Sequence, residues 1–180
     1  MDHSPDAASG TSAMLGTDAL FVAVYARLKA MAAHELKGAN ATLNTTGLVH
    51  EAYLRMGKQP DLAFEHPAQF FVYAARAMRH LLADRARDRL RLRAGGGLMH
   101  ITLTGSDSQL AIDSAEQALA LDAALDRLAQ SDARAARVLE LHYFAGLTVA
   151  QIADMMQLAT STVDRDWRFA RAFLKDELAG

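Results

Sequence analysis

The chain has no cysteine, which removes structural disulfides and thiol-ligated zinc from consideration. That absence fits a reducing compartment, and a cytoplasmic location is the expectation. Proline is scarce, with three in 180 residues, so little stands in the way of long helices. No apolar run is long enough to span a bilayer, so no membrane insertion is expected. The first residues, MDHSPDAASGTSAM, lack the apolar core of a signal peptide. A strong charge of one sign is missing too: the formal net charge is −2. Taken as a sum, that argues against simple nucleic-acid binding, but the distribution matters more. The seven histidines are scattered and form no close helical pairing with acids, so no metal site and no cofactor are expected. No nucleophile–base pair and no glycine-rich phosphate loop stands out, so the chain is not read as an enzyme.

What is present is helical periodicity. Its most informative stretch is Leu147 to Leu174, LTVAQIADMMQLATSTVDRDWRFARAFL. Thr148 can cap a first helix, with Val149, Ile152, Ala153 and Met156 on one apolar face. Gln157, Leu158 and Ala159 leave room only for a tight turn. A second helix follows, with Val163, Trp167, Ala170 and Leu174 inward. Thr160, Ser161, Thr162, Asp164, Arg165 and Arg168 are left outward. Small hydroxyls and arginines at the exposed start of a second helix suit docking in a major groove. The same pattern also fits two ordinary antiparallel helices with a solvated face.

The second signal is where the charge sits. Arg76 to Arg93 holds seven arginines against Asp84 and Asp88, an excess of five, so the rest of the chain carries −7. A basic helix end in an otherwise acidic chain is an electrostatic footprint for phosphate. The competing reading is a solvated charge run, with the first arginines snorkelling at the edge of a core. Phe64, Phe70, Phe71 and Tyr73 lie just ahead. Phe71 has core spacing, whereas Phe64, in the loop before Pro67, is the better candidate for an exposed platform on which unpaired bases stack.

Residues 1–13 read as a disordered tail. Leu20, Val24, Leu28 and Met31 set a first helix, and Thr46 to Met56 a second. A long third helix starts near Pro67, with Phe71, Ala74, Ala75, Met78, Leu81 and Leu82 apolar. Ala94 to Ala115 is rich in Gly, Ser, Thr and Asp and reads as a flexible linker. Within it MHITLT fits a strand, but the sequence offers no evident partner for it. Helices resume with Leu121, Leu125 and Leu128, then with Val138, Leu141 and Ala145. The expected fold is all-α, with two small helical domains at 14–93 and 116–178 joined by the 94–115 linker.

Taken together, these segments resemble a bacterial RNA polymerase sigma factor of the small, extracytoplasmic-function (ECF) type. ALFVAVYARLKAMAAHEL, LVHEAYLRM and FFVYAARAMRHLLADRAR resemble helices of that family's region 2. The stretch from LDAALDRL to FLKDEL resembles region 4 with its helix-turn-helix. The resemblance implies binding to core RNA polymerase, through the clamp coiled coil of the largest subunit and the flap of the second-largest. It implies promoter DNA as ligand and no catalytic residues. Carried over, the minus-35 contacts fall on Thr160, Ser161, Thr162, Arg165, Arg168 and Arg171. The minus-10 and melting contacts fall on Phe64, Arg76, Arg79, His80, Arg85 and Arg87. Core-polymerase contacts fall on Thr45, Thr46, Val49, Glu51, Tyr53 and Arg55. The acids Asp107, Asp113 and Glu116 suit a linker path along basic polymerase surface. The competing assignment is a stand-alone helix-turn-helix regulator.

Three departures from the family pattern stand out. Ala159 occupies the place of a Ser cap, so Thr160 is expected to cap the recognition helix instead. Asp164 stands where a basic residue is common, which puts DNA contacts at Asp164 and Asp166 in doubt. Finally, Ala41 to Glu51, ATLNTTGLVHE, holds a single acid where relatives carry several that pair with clamp arginines. A phosphate adds about −1.5 to −2 charge at neutral pH and suits an arginine cluster. Thr45 and Thr46 are therefore candidate phosphorylation sites, with a Ser/Thr protein kinase as a partner. Thr46 also fits a plain N-cap and Thr45 a turn residue. An anti-sigma factor is the other candidate regulator.

Overall fold

A computed structural model of the chain describes residues 51, 54–55, 64, 66–92, 98–104 and 109–179. The expected tail and first helix lie outside these residues. So does most of the second helix, of which Glu51, Leu54 and Arg55 are helical.

The architecture is helical. Among the described residues it comprises α1 (Pro67–Leu92), a hairpin of β1 (Leu98–Thr104) and β2 (Gln109–Ser114), then α2 (Ala115–Ser131), α3 (Ala133–Tyr143), α4 (Val149–Met156) and α5 (Thr160–Ala179). Pro67 opens α1, where its fixed φ is favourable and its missing N–H costs nothing. At 26 residues, α1 is about 39 Å long at 1.5 Å per residue. Its buried face is Phe70, Ala74, Ala75, Met78, Leu81, Leu82 and Ala86, repeating at the helical period.

Where the composition predicts a flexible linker, MHITLT has a partner. The strands pair antiparallel, with Ile101 opposite Ile112 and Leu103 opposite Leu110. Ile101, Leu103 and Ile112 are buried. A lone hairpin is marginal in water, so this apolar face and the packing of β2 on α2 are what hold it. No unstructured residue separates β2 from α2. Ser114 ends the strand and caps the helix, its hydroxyl accepting from the Gln117 N–H at 3.1 Å.

Asp132 alone joins α2 to α3. Its N–H donates to Leu128 O and closes α2, while its carboxylate accepts from the Arg134 and Ala135 N–H groups and opens α3. Thr148 caps α4 as the sequence predicts, and Gln151 completes a capping box by accepting from the Thr148 N–H at 3.0 Å. The turn after α4 has Gln157 in the left-handed region at φ 54°. Its N–H donates back to Ala153 and Asp154 carbonyls and stops the helix.

One buried cluster runs from Phe64 and Phe70 through Leu121, Leu125, Leu128 and Leu139 to Trp167 and Leu174. α1 packs directly on α2 and α3. Residues on both sides of the hairpin therefore share one core.

Candidate nucleic-acid interface

The start of α5 is set by its neighbours on α3. Val163, Trp167, Ala170 and Leu174 are all buried, as their spacing predicts. Trp167 lies against His142, with ring centroids 4.0 Å apart, and against Tyr143 at 5.3 Å. His142 is fully buried, its Nδ1 2.9 Å from the Leu147 carbonyl. This ring stack fixes the rotation of α5 and so decides what faces outward.

Thr160, Ser161, Arg165, Arg168 and Arg171 are exposed, and Thr162 is half-buried. Arg168 pairs with Asp164 one turn earlier. Arg171 lies over the Trp167 ring at 5.6 Å, a cation–π contact that holds it near the helix surface. Asp166, doubtful as a DNA contact, is buried and receives both Nε and Nη2 of Arg134, at 2.5 and 3.0 Å. The hydrogen bonds and charge of Asp166 raise the Arg134 pKa. Asp166 thus ties α5 to the start of α3.

The expected cap at Thr160 is corrected by the hydrogen bonds. The Ala159 carbonyl accepts from Thr162 N–H at 2.9 Å and Val163 N–H at 3.2 Å, so Ala159 itself holds the N-cap place and Thr160 is the first helical residue. Ala159 has no side-chain acceptor for the orphan N–H groups of the first turn. Ala159→Ser is expected to stabilise the chain by about 1 kcal/mol, read as a higher midpoint in urea unfolding.

The arginines of α1 are placed very differently. Arg79 is buried at 6% exposure. Its Nε donates to Asp122 Oδ1 at 2.8 Å, its Nη1 to Glu140 Oε1 at 2.7 Å and its Nη2 to the Asp122 carbonyl at 2.8 Å. Nη2 also pairs with Asp126. Burial works against the Arg79 charge, and the bonds to Glu140, Asp126 and Asp122 outweigh it, so the pKa is raised. Arg87 reaches Asp122 at 3.3 Å and Asp84 at 3.1 Å. Arg76 stands 3.9 Å from Glu140. His80 is exposed. Phe64 is not an exposed platform: it is buried at 5% exposure, edge-on to Phe70 at 5.4 Å and beside Tyr73 at 5.8 Å. Aromatic neighbours within reach of its ring, rather than solvent, decide its position.

Of the expected polymerase contacts, Thr45, Thr46, Val49 and Tyr53 lie outside the described residues. Glu51 pairs with Arg85 and stands 3.6 Å from Arg55, which in turn reaches Asp84 at 3.1 Å. These pairs link Glu51 and Arg55 to α1. Of the acids expected along the linker path, Asp113 and, just past the linker, Glu116 are exposed, and Asp107 lies outside the described residues.

Sequence reasoning finds the arginines of α1 and misses their acceptors. Asp122 and Asp126 are four apart, hence on one face of α2, and that spacing is the signal that could have found them. Among the described residues no group of His, Asp or Glu could hold a metal ion, and no helix is long and apolar enough to cross a membrane.

The chain is thus mostly helical, with exposed hydroxyls and arginines at the start of α5 and a second arginine-dense helix in α1. Compared with known families, the chain matches the model of the ECF sigma factors over residues 9–180, and it belongs to that family. Neither the curated proteins nor the solved structures contain a match to it. As a sigma factor, it acts with core RNA polymerase and promoter DNA to direct transcription initiation, in a family of transcription factors rather than enzymes.

Proposed function

We propose that α4, the turn at Gln157–Ala159 and α5 form the helix-turn-helix of sigma region 4, and that the first turns of α5 read the minus-35 element. Thr160, Ser161, Arg165 and Arg168 are the contacting residues, with Thr162 and Arg171 at the edge of the footprint. The observation that carries this reading is their exposure on a helix whose other face is locked by Trp167. In the same reading α1 belongs to region 2, and its arginines with His80 serve minus-10 recognition and strand opening, while Phe64 supports that surface from within the core. Residues 45–55 meet the polymerase clamp, and region 4 meets the flap. A chain delivered by polymerase need not supply all the electrostatics of DNA binding, which accounts for a net charge of −2.

Core binding is controlled by phosphorylation of Thr45 or Thr46 by a Ser/Thr kinase. The support is the sequence from Ala41 to His50, which has no acid. Co-purification of core polymerase with the full chain and with a Thr45→Glu/Thr46→Glu chain tests both parts. The variant is expected to retain core polymerase and the unmodified chain to retain little. Equal, tight retention by both removes the switch and leaves the sigma assignment standing. Retention by neither, with tight duplex binding by the chain alone, favours a stand-alone regulator.

A further inference from the structure

Arg79, Arg76 and Arg87 project from α1 toward one acidic surface, formed by Asp122 and Asp126 on α2 and Glu140 on α3. We propose that these carboxylates act as an intramolecular stand-in for nucleic-acid phosphate, a clasp that closes α1 onto α2 and α3 and keeps its arginines from DNA until the chain opens. The proposal rests on the reading of α1 as a nucleic-acid face.

Geometry carries it. A guanidinium offers five N–H donors in a fixed fork, suited equally to carboxylate and phosphate oxygens. Arg79 spends its fork on three carboxylates and a carbonyl, and it is almost fully buried while doing so. Three cations face three anions, so the closed surface is locally neutral and offers no excess positive charge to a strand. Buried ion pairs contribute little net stability, because desolvation offsets most of the Coulomb gain, but they fix which surfaces meet. A clasp of this type specifies the closed arrangement, and the guanidinium groups it releases offer phosphate the same N–H donors. Apolar burial along α1 opposes opening, and core polymerase is the partner able to supply replacement contacts. The clasp joins α1, which precedes the hairpin, to α2 and α3, which follow it, so releasing α1 moves the two halves apart.

The test uses the full chain and its lack of cysteine. Leu92→Cys on α1 and Gln130→Cys on α2, both exposed positions, carry a fluorophore pair that reads the separation of the two helices. Affinity for a labelled single-stranded oligonucleotide is measured in parallel at low salt. Asp122→Asn/Asp126→Asn removes two of the three anions while keeping side-chain volume. Asp154→Asn/Asp176→Asn, on α4 and α5, makes the same change in net charge away from the clasp. The expected result is a longer mean separation and an oligonucleotide affinity raised about tenfold for the clasp variant, with the control unchanged in both. An unchanged separation and affinity would overturn the clasp. A longer separation without added affinity would overturn the phosphate stand-in and, with it, the reading of α1 as a nucleic-acid face. Equal affinity gains for the clasp variant and the control would assign the effect to net charge and also overturn the proposal. Circular dichroism of the clasp variant separates opening from unfolding, and loss of helical signal is met by repeating the measurement with Asp126→Asn alone, at the most exposed member of the cluster.

Discussion

Replacing Arg165 and Arg168 together by alanine is expected to weaken promoter binding by the assembled polymerase at least thirtyfold while leaving the fold intact. Both side chains are exposed, and among the described residues Arg168 pairs with Asp164 at the surface, so their removal changes stability by well under about 1 kcal/mol. On DNA, a good bidentate contact to a base edge is worth about 1–3 kcal/mol, and every 1.4 kcal/mol is tenfold. Two such losses set the scale given. Asp164→Asn is expected to move affinity the other way, because it releases Arg168 and removes an anion from the proposed DNA face. Equilibrium binding of polymerase carrying each variant to a duplex promoter fragment checks both. Unchanged affinity for the double arginine variant would move the DNA-reading surface away from α5.

Trp167→Ala is expected to be the most destabilising single substitution in this half of the chain, at about 3–5 kcal/mol. Trp167 is 3% exposed and stacks on His142 and Tyr143, so its loss leaves a large cavity between α3 and α5. The buried His142 ring also loses the neighbour that shields it. In a chain of this length, a loss of that size lowers the melting temperature by about 6–20 °C. Denaturant unfolding followed by intrinsic fluorescence is unsuitable, because the chain has a single tryptophan, so the measurement is circular dichroism. A loss under about 1 kcal/mol would show that the ring stack does not set the orientation of α5.

Helical spacing was enough to read α1, α4 and α5, because an apolar residue every three or four positions has one physical solution, but on α1 it put Phe71 in the core where Phe70 is fully buried and Phe71 half-buried. The inward set Val163, Trp167, Ala170 and Leu174 follows from that rule alone. The hairpin was half legible: MHITLT has strand composition, but QLAIDS reads as polar linker because Gln109, Asp113 and Ser114 break its apolar run. Its pairing with β1 and its packing on α2 are tertiary contacts that no local apolar pattern reveals. The burial of Phe64 was illegible for the same reason, since a loop residue carries no period. Arg79 is the instructive case. Its charge is plain in the sequence, while its burial depends on Asp122, Asp126 and Glu140, 43 to 61 residues away along the chain. Charge density locates a surface, and only tertiary structure shows what already neutralises it.

The central claim is that this chain turns core RNA polymerase toward a defined set of promoters, through α5 on one side and the arginines of α1 on the other. Mapping transcript start sites on total genomic DNA, with core polymerase alone and with the chain added, tests it most directly. The chain carrying Thr45→Glu/Thr46→Glu is included as the form expected to bind core. The account predicts new start sites that share an upstream element and a second element near the start, with dependence on the upstream one lost in the Arg165→Ala/Arg168→Ala chain. Start sites identical to those of core polymerase alone, with either form of the chain, would contradict it.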